Sequence, residues 1–199
     1  MKLLYSPASP YSAKIRMAAV YADIGLDYEI VNTGADPSVL VAVNPLGKIP
    51  TLLLDDGEGV FDSRVIAQHL NRMSGNRLFP RNSAKRLEAE MLEALADGIC
   101  DCLLTMVYER RARPEEKVHE PWVDRHWRKA ERGLDALNAN PPKLPKHIHV
   151  GHLATRAMIG YLDLRFAGKW EKGKGELRRW AARFDEKHPA LSAVAPSDA

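Results

Sequence analysis

The sequence predicts an α/β domain of order β-α-β-α-β-β-α over a mixed sheet, followed by an all-helical domain. Three observations carry this prediction. Short apolar runs alternate with helical patterns as far as Asn76. The segment Arg77-Leu78-Phe79-Pro80-Arg81-Asn82 then interrupts both patterns. Beyond it, apolar residues recur at helical spacing only. The expected division is a first domain over 1–77, a linker over 78–83 and a helical domain over 84–199.

Lys2 to Tyr5 is a short apolar strand. Ser6-Pro7-Ala8-Ser9-Pro10 is a turn, and a helix follows with Ser9 as N-cap and Pro10 at its first position. Ile15, Ala18, Ala19 and Ala22 give that helix a buried stripe, and Gly25 ends it. Tyr28 to Val31 is the second strand, and Ser38 to Val43 is weakly helical. Thr51 to Leu54 and Gly59 to Phe61 form a hairpin around Asp55-Asp56-Gly57. Asp62-Ser63 opens a third helix with Ile66, Leu70 and Met73 on one face, closed by Ser74-Gly75-Asn76. Alternating strands and helices call for a parallel pair, to which the hairpin adds antiparallel strands.

In the second half, Leu87, Met91, Leu95, Ile99, Leu103 and Met106 mark a long helical stripe ending near Arg113-Pro114. Val123, Trp127, Ala130, Leu134 and Leu137 mark another, and Asn138 to Pro145 is a proline-rich break. Ala154, Ala157, Met158, Tyr161 and Leu162 mark a third. Leu177, Trp180, Ala181 and Phe184 mark a fourth, stopped by His188-Pro189, and the tail from Ala195 is expected to be loose.

The chain has 199 residues, 45% of them hydrophobic, enough for one or two small domains with cores. Its 29 basic and 26 acidic residues balance too evenly to point to nucleic acid. No apolar run reaches membrane-spanning length, and the N-terminal stretch lacks the apolar core of a signal peptide. Cys100 and Cys102, two apart on a helix, point to different sides and should not bridge. A reduced, cytoplasmic protein is the expectation.

The stretch around which the rest is organised is Asn44-Pro45-Leu46-Gly47-Lys48-Ile49-Pro50-Thr51-Leu52. Pro50 stands at the first residue of a strand, a place where its missing N–H breaks no ladder. An X-Pro bond in a tight turn can be cis, which would turn the Ile49 N–H and C=O outward to meet an extended peptide. Read locally, the same residues also make a plain loop-to-strand turn.

Three segments together carry a family likeness: Ser9-Pro10-Tyr11-Ser12 with Lys14 and Arg16, then Asn44 to Pro50, then Phe61-Asp62-Ser63. Their order and spacing, over nearly the whole chain, resemble the glutathione transferases, and most of all the small bacterial serine- or cysteine-type members. The resemblance implies a thioredoxin-like first domain, a cis-proline at Pro50, and glutathione as co-substrate without a metal. It implies that Ile49 holds the cysteinyl backbone of glutathione and that Asp62 and Ser63 hold its γ-glutamyl end. It further implies an apolar electrophile bound between the domains and a homodimer. One departure stands out: the family's Ser/Thr-x-x-Asp box, at the start of the core helix of the second domain, reads here His152-Leu153-Ala154-Thr155, which does not match.

The chemistry such a site requires is a glutathione thiolate. A free thiol titrates near ~8.5, and lowering that by about two units takes roughly 2.7 kcal/mol. A serine hydroxyl and the N-terminus of the first helix can both supply it, and both converge at Ser9. The plain alternative is that Ser9 only caps the helix. Tyr5, Ser6, Tyr11 and Ser12 are the rival residues, Tyr5 with the stronger expectation of a core role. Ser9 and Ser12 stand where glutaredoxins carry cysteines, and a hydroxyl cannot form a mixed disulfide. Lys48 can pair with the glycyl carboxylate of glutathione or be a solvated surface lysine. His147, His149 and His152 lie close in sequence but have no carboxylate or thiol partner at ligand spacing. Arg110, Arg111 and Arg113 end the long helix, where positive charge offsets its dipole; a solvated face is the expectation, and an anionic substrate, at the electrophile pocket that the resemblance places along this helix, is the alternative. A non-catalytic adaptor of the same fold and a glutathione-dependent peroxidase or isomerase are the alternatives to transfer.

Overall fold

The computed structural model describes residues 1–198. A four-stranded sheet of order β2-β1-β3-β4 is formed by β1 (Lys2–Tyr5), β2 (Asp27–Ile30), β3 (Thr51–Leu53) and β4 (Gly59–Val60). β1 runs parallel to β2 and antiparallel to β3, and β3 is antiparallel to β4. The period of two along β1 sends its leucines to opposite faces. Leu3 joins the main core with α1 (Pro10–Ala22) and α3 (Ser63–Met73). Leu4 packs with Val31 and Leu40, the latter on the one-turn α2 (Ser38–Val41). β1 is thus covered on both sides, which is why it reads as an uninterrupted apolar run.

α1 starts as expected, with Ser9 as N-cap and Pro10 next, and its stripe Ile15, Ala18, Ala19 and Ala22 is buried. It stops before Gly25: Asp23 takes the left-handed conformation, φ 59°, and ends the helix itself. On α3, Ile66 and Leu70 are buried but Met73 is 49% exposed. The buried place on the last turn belongs to Asn71 instead. Its Oδ1 accepts from the N–H groups of Leu78 and Phe79, both at 3.0 Å, and so ties the segment after α3 to the helix.

The helices that follow are α4 (Ser83–Ala112), α5 (Glu120–Ala139), α6 (Val150–Phe166), α7 (Gly175–Lys187) and the one-turn α8 (Pro189–Ser192). The stripe expected on α4 holds only in its second half. Ile99, Leu103 and Met106 are buried, whereas Leu87, Met91 and Leu95 are exposed. The reason is geometric: steps of four residues advance about 40° each, so Leu87 and Leu103 stand about 160° apart around the axis. The first half of α4 buries Ala89, Glu93, Ala96 and Asp97.

α6 is the central helix, buried from Val150 to Leu162 and packed against α1 and α4. Gly151 permits this approach, since a Cβ there would stand 2.8 Å from the Ala89 carbonyl oxygen. One apolar core runs from Leu3 through α1 and α6 to Leu191. The tail is not loose as expected: the Ser197 N–H donates to the Pro7 carbonyl and Asp198 pairs with Arg165. Ala199 lies outside the described residues. Cys100 and Cys102 are unbridged. No helix among the described residues is long and apolar enough to cross a membrane.

Candidate active site

A cleft of about 830 Å³ opens between two walls. The first wall is made of loops at the ends of the strands: the turn before α1, the segment ending at Pro50 and the start of α3. The second is made of α4 and α6. Ser9, Lys48, Ile49, Pro50, Asp62 and Ser63 all lie on the first wall.

Asn44, buried, organises the middle of that wall. Its Nδ2 donates to the Lys48 carbonyl at 2.8 Å and to Thr51 Oγ1 at 3.0 Å, and its Oδ1 accepts from the Leu46 N–H. Gly47 at φ 57° supplies the left-handed residue the turn needs. The Ile49–Pro50 peptide is cis, as is Phe61–Asp62. The Ile49 N–H and C=O find no hydrogen-bond partner among the described residues.

Ser9 and Asp62 each cap a helix that points at the cleft. Ser9 Oγ accepts from the Ser12 N–H at 3.2 Å, and its own proton is left undonated. Asp62 Oδ1 accepts from the Arg64 N–H at 3.0 Å, and Ser63 follows as the first residue of α3. The rivals of Ser9 separate by position. Tyr5 is off the cleft, with its ring under the Arg16 guanidinium at 5.0 Å and edge-on to Tyr28. Ser12 is wholly buried and also off the cleft. Tyr11 lines it, but its hydroxyl donates to Asp101, and burial together with Cys100 and Asp101 pushes its pKa far up, so it stays protonated. Ser6 shares the cleft but lies before the helix start.

Several features were missed at the level of sequence. Lys14, wholly buried on α1, makes ion pairs with Glu93 Oε1 at 2.9 Å and Asp97 Oδ2 at 2.8 Å on α4. Arg64 on α3 adds a contact to Asp97 at 3.1 Å. This cluster ties the helices under the first wall to the second. The available signal was the spacing of Asp97, Asp101, Thr105 and Tyr108, which puts a polar face along α4.

The arginine trio behaves as three separate residues. Arg110 pairs with Glu120 at 2.9 Å and Arg113 with Glu109 at 2.8 Å. Arg111 is exposed as expected, but it is exposed at the cleft, which it lines.

The histidines cap α6 three residues earlier than the expected start at His152. His149 is the N-cap, and its backbone N–H donates to Nδ1 of His152 at 3.1 Å. Since Nδ1 accepts, Nε2 carries the proton and donates to the Lys143 carbonyl at 2.7 Å. Burial holds both rings neutral: His149 is pushed down to about 3, and His152 is lowered as well. Among the described residues, no group of three or more His, Cys, Asp or Glu could hold a metal ion.

Comparison with known proteins agrees with this architecture. Residues 8–73 match the glutathione S-transferase N-terminal domain. A curated relative, the uncharacterized GST-like protein YibF of Escherichia coli K12, is 33% identical over 172 residues and spans 83% of each chain. The chain belongs to the glutathione S-transferase family. A solved glutathione S-transferase from Methylobacillus flagellatus, with GSH bound, shares 34% identity at a TM-score of 0.89, covering 98% of this chain and 99% of that one. A family member from Pseudomonas fluorescens Pf-5, with bound S-(propanoic acid)-glutathione, shares 32% identity at a TM-score of 0.84, covering 99% and 100%. The thioredoxin-like first region with a mixed four-stranded sheet and the helical region after it are thus those of the family.

Proposed function

We propose that the chain is a glutathione transferase that binds the tripeptide along the first wall and activates its thiolate at Ser9. The observation that carries this reading is the placement of Ser9. It caps a helix pointing at the cleft, keeps a proton to donate, and shares that cleft with Ile49, Pro50, Asp62 and Ser63. The unpaired Ile49 N–H and C=O would pair with the cysteinyl backbone as an added strand does. The N–H groups at the start of α3 would receive the γ-glutamyl carboxylate, and Asp62 its ammonium. Lys48, on the same wall, would meet the glycyl carboxylate. The glutathione and glutathione conjugate bound by relatives at 34% and 32% identity support this assignment.

The second substrate would sit between the walls. A second copy of the chain is the natural cover for Leu87, Met91 and Leu95, which a lone chain leaves in water. Sedimentation at micromolar concentration should show a dimer; a monomer there would refute that part.

Ser9→Ala is the decisive test. One hydrogen bond to an anion is worth about 1.5–3 kcal/mol, so turnover with 1-chloro-2,4-dinitrobenzene should fall roughly tenfold to a hundredfold. The pH–rate profile should shift up, towards the ~8.5 of a free thiol, while glutathione affinity holds. An unchanged profile would return Ser9 to a capping role only.

A further inference from the structure

The second wall is not the apolar surface expected for the electrophile. Four polar side chains on it lie near one another: Tyr108 and Arg111 from α4, Tyr161 and Arg165 from α6. Each pair is three or four residues apart on its helix, so both point the same way. Tyr161 is only 4% exposed, yet it borders the cleft and its hydroxyl has no partner among the described residues. Burial pushes that phenol up to about 12, against the opposing pull of Arg165 and Arg111, so it remains a donor. Arg165 gives one guanidinium nitrogen to Asp198, but its Nε is buried without a partner. Arg111 has no carboxylate partner among the described residues, unlike its neighbours Arg110 and Arg113.

A helix-end arginine in water requires no explanation. A buried guanidinium nitrogen without a partner, Arg165 Nε, does, because an unmade buried hydrogen bond costs about 1–3 kcal/mol, and on the same helix the Tyr161 hydroxyl opens onto the cavity with no protein acceptor. The acids nearby are already engaged: Asp101 accepts from Tyr11, Asp97 is held by Lys14 and Arg64, and Asp198 is on Arg165. The donors therefore await an acceptor from outside.

We infer that the co-substrate carries an anionic group, in the simplest case a carboxylate, received by Arg111 and Arg165 with the Tyr161 hydroxyl as a third donor. This rests on the first wall being the glutathione site. It replaces an apolar electrophile with a charged one and makes Arg111 a specificity residue of the transfer reaction.

The test is calorimetric binding of two matched pairs of conjugates. A short pair is S-(2-carboxyethyl)- and S-(2-carbamoylethyl)-glutathione; a long pair is S-(4-carboxybenzyl)- and S-(4-carbamoylbenzyl)-glutathione. Acid and amide differ in charge at nearly equal shape. In at least one pair the acid should bind about tenfold tighter, as a charge-assisted contact gives. Arg111→Gln and Arg165→Gln should each remove most of that preference, with the affinity for glutathione itself unchanged. Arg165→Lys should restore part of it. Thermal melts of each variant separate a lost contact from a lost fold. Equal binding of acid and amide in both pairs, with glutathione bound normally, would overturn the inference and leave the first wall's assignment standing. Failure of glutathione itself to bind would overturn both.

Discussion

The starts of α1 and α6 are built from the same device and put to opposite uses. Each is a helix N-terminus whose free N–H groups are met by side chains. At α6 the device is closed. The His149 N–H donates to His152, His152 donates to the Lys143 carbonyl, and His152 is buried with His149 half-buried against it. At α1 it is open. Ser9 accepts one N–H, keeps its proton and faces a cleft. The positive end of a helix becomes a binding site only where its cap leaves hydrogen-bonding capacity facing a cavity. α1 can leave its cap open because its position is set one turn further on, where Lys14 is locked to Glu93 and Asp97.

That contrast can be broken in order of expected effect. Lys14→Met, which keeps the volume and removes the charge, leaves buried Glu93 without its cation and buried Asp97 with Arg64 alone. It should cost about 3–5 kcal/mol of stability, read by denaturant unfolding. A loss under 1 kcal/mol would show that α1 is held elsewhere. His152→Ala removes a cap and a buried ring together, for about 2–4 kcal/mol, and should leave glutathione affinity unchanged. His152→Asp, which restores an acceptor for the His149 N–H, should recover part of that.

Acid sharpens the comparison further. Both histidines have folded pKa values below their ordinary ~6.5. Their contribution is therefore complete above that value and is lost as pH falls towards the folded values, because the unfolded chain takes up protons that the folded one refuses. Each adds a slope of up to about 1.4 kcal/mol per pH unit. Melting temperature should fall between pH 7 and 5, and His152→Asp should flatten that slope. An unflattened slope would assign the acid loss to other groups. The smallest effect belongs to Ser9→Ala on stability, about 1 kcal/mol as for any exposed cap, against its larger effect on turnover.

The strands and helix starts were legible because their signals are local. Ser9-Pro10 and Asp62-Ser63 announce caps, and Leu3-Leu4 announces a strand covered on both faces. Errors arose where a local pattern had to be extended. The α4 stripe was traced through Leu87, Met91 and Leu95 although the helix carries them around its axis into solvent. Met73 was placed in a core whose last position Asn71 occupies with its hydrogen bonds to Leu78 and Phe79. The box at α6 is expected from His152 to Thr155, whereas it runs from His149 to His152, because its two capping residues are histidines that the Ser/Thr-x-x-Asp pattern does not describe.

Sequence alone determined the order of elements, the helix caps and the turn at Asn44–Pro50, because each depends on dihedral preferences and hydrogen bonds within a few residues. Tertiary structure decided which side chains share the cleft. Tyr11 is engaged by Asp101 across 90 positions of sequence, and Arg111 and Arg165 are brought to one cavity by the packing of α4 on α6. Those neighbours come from different helices, and no periodicity within either one specifies how the two will cross.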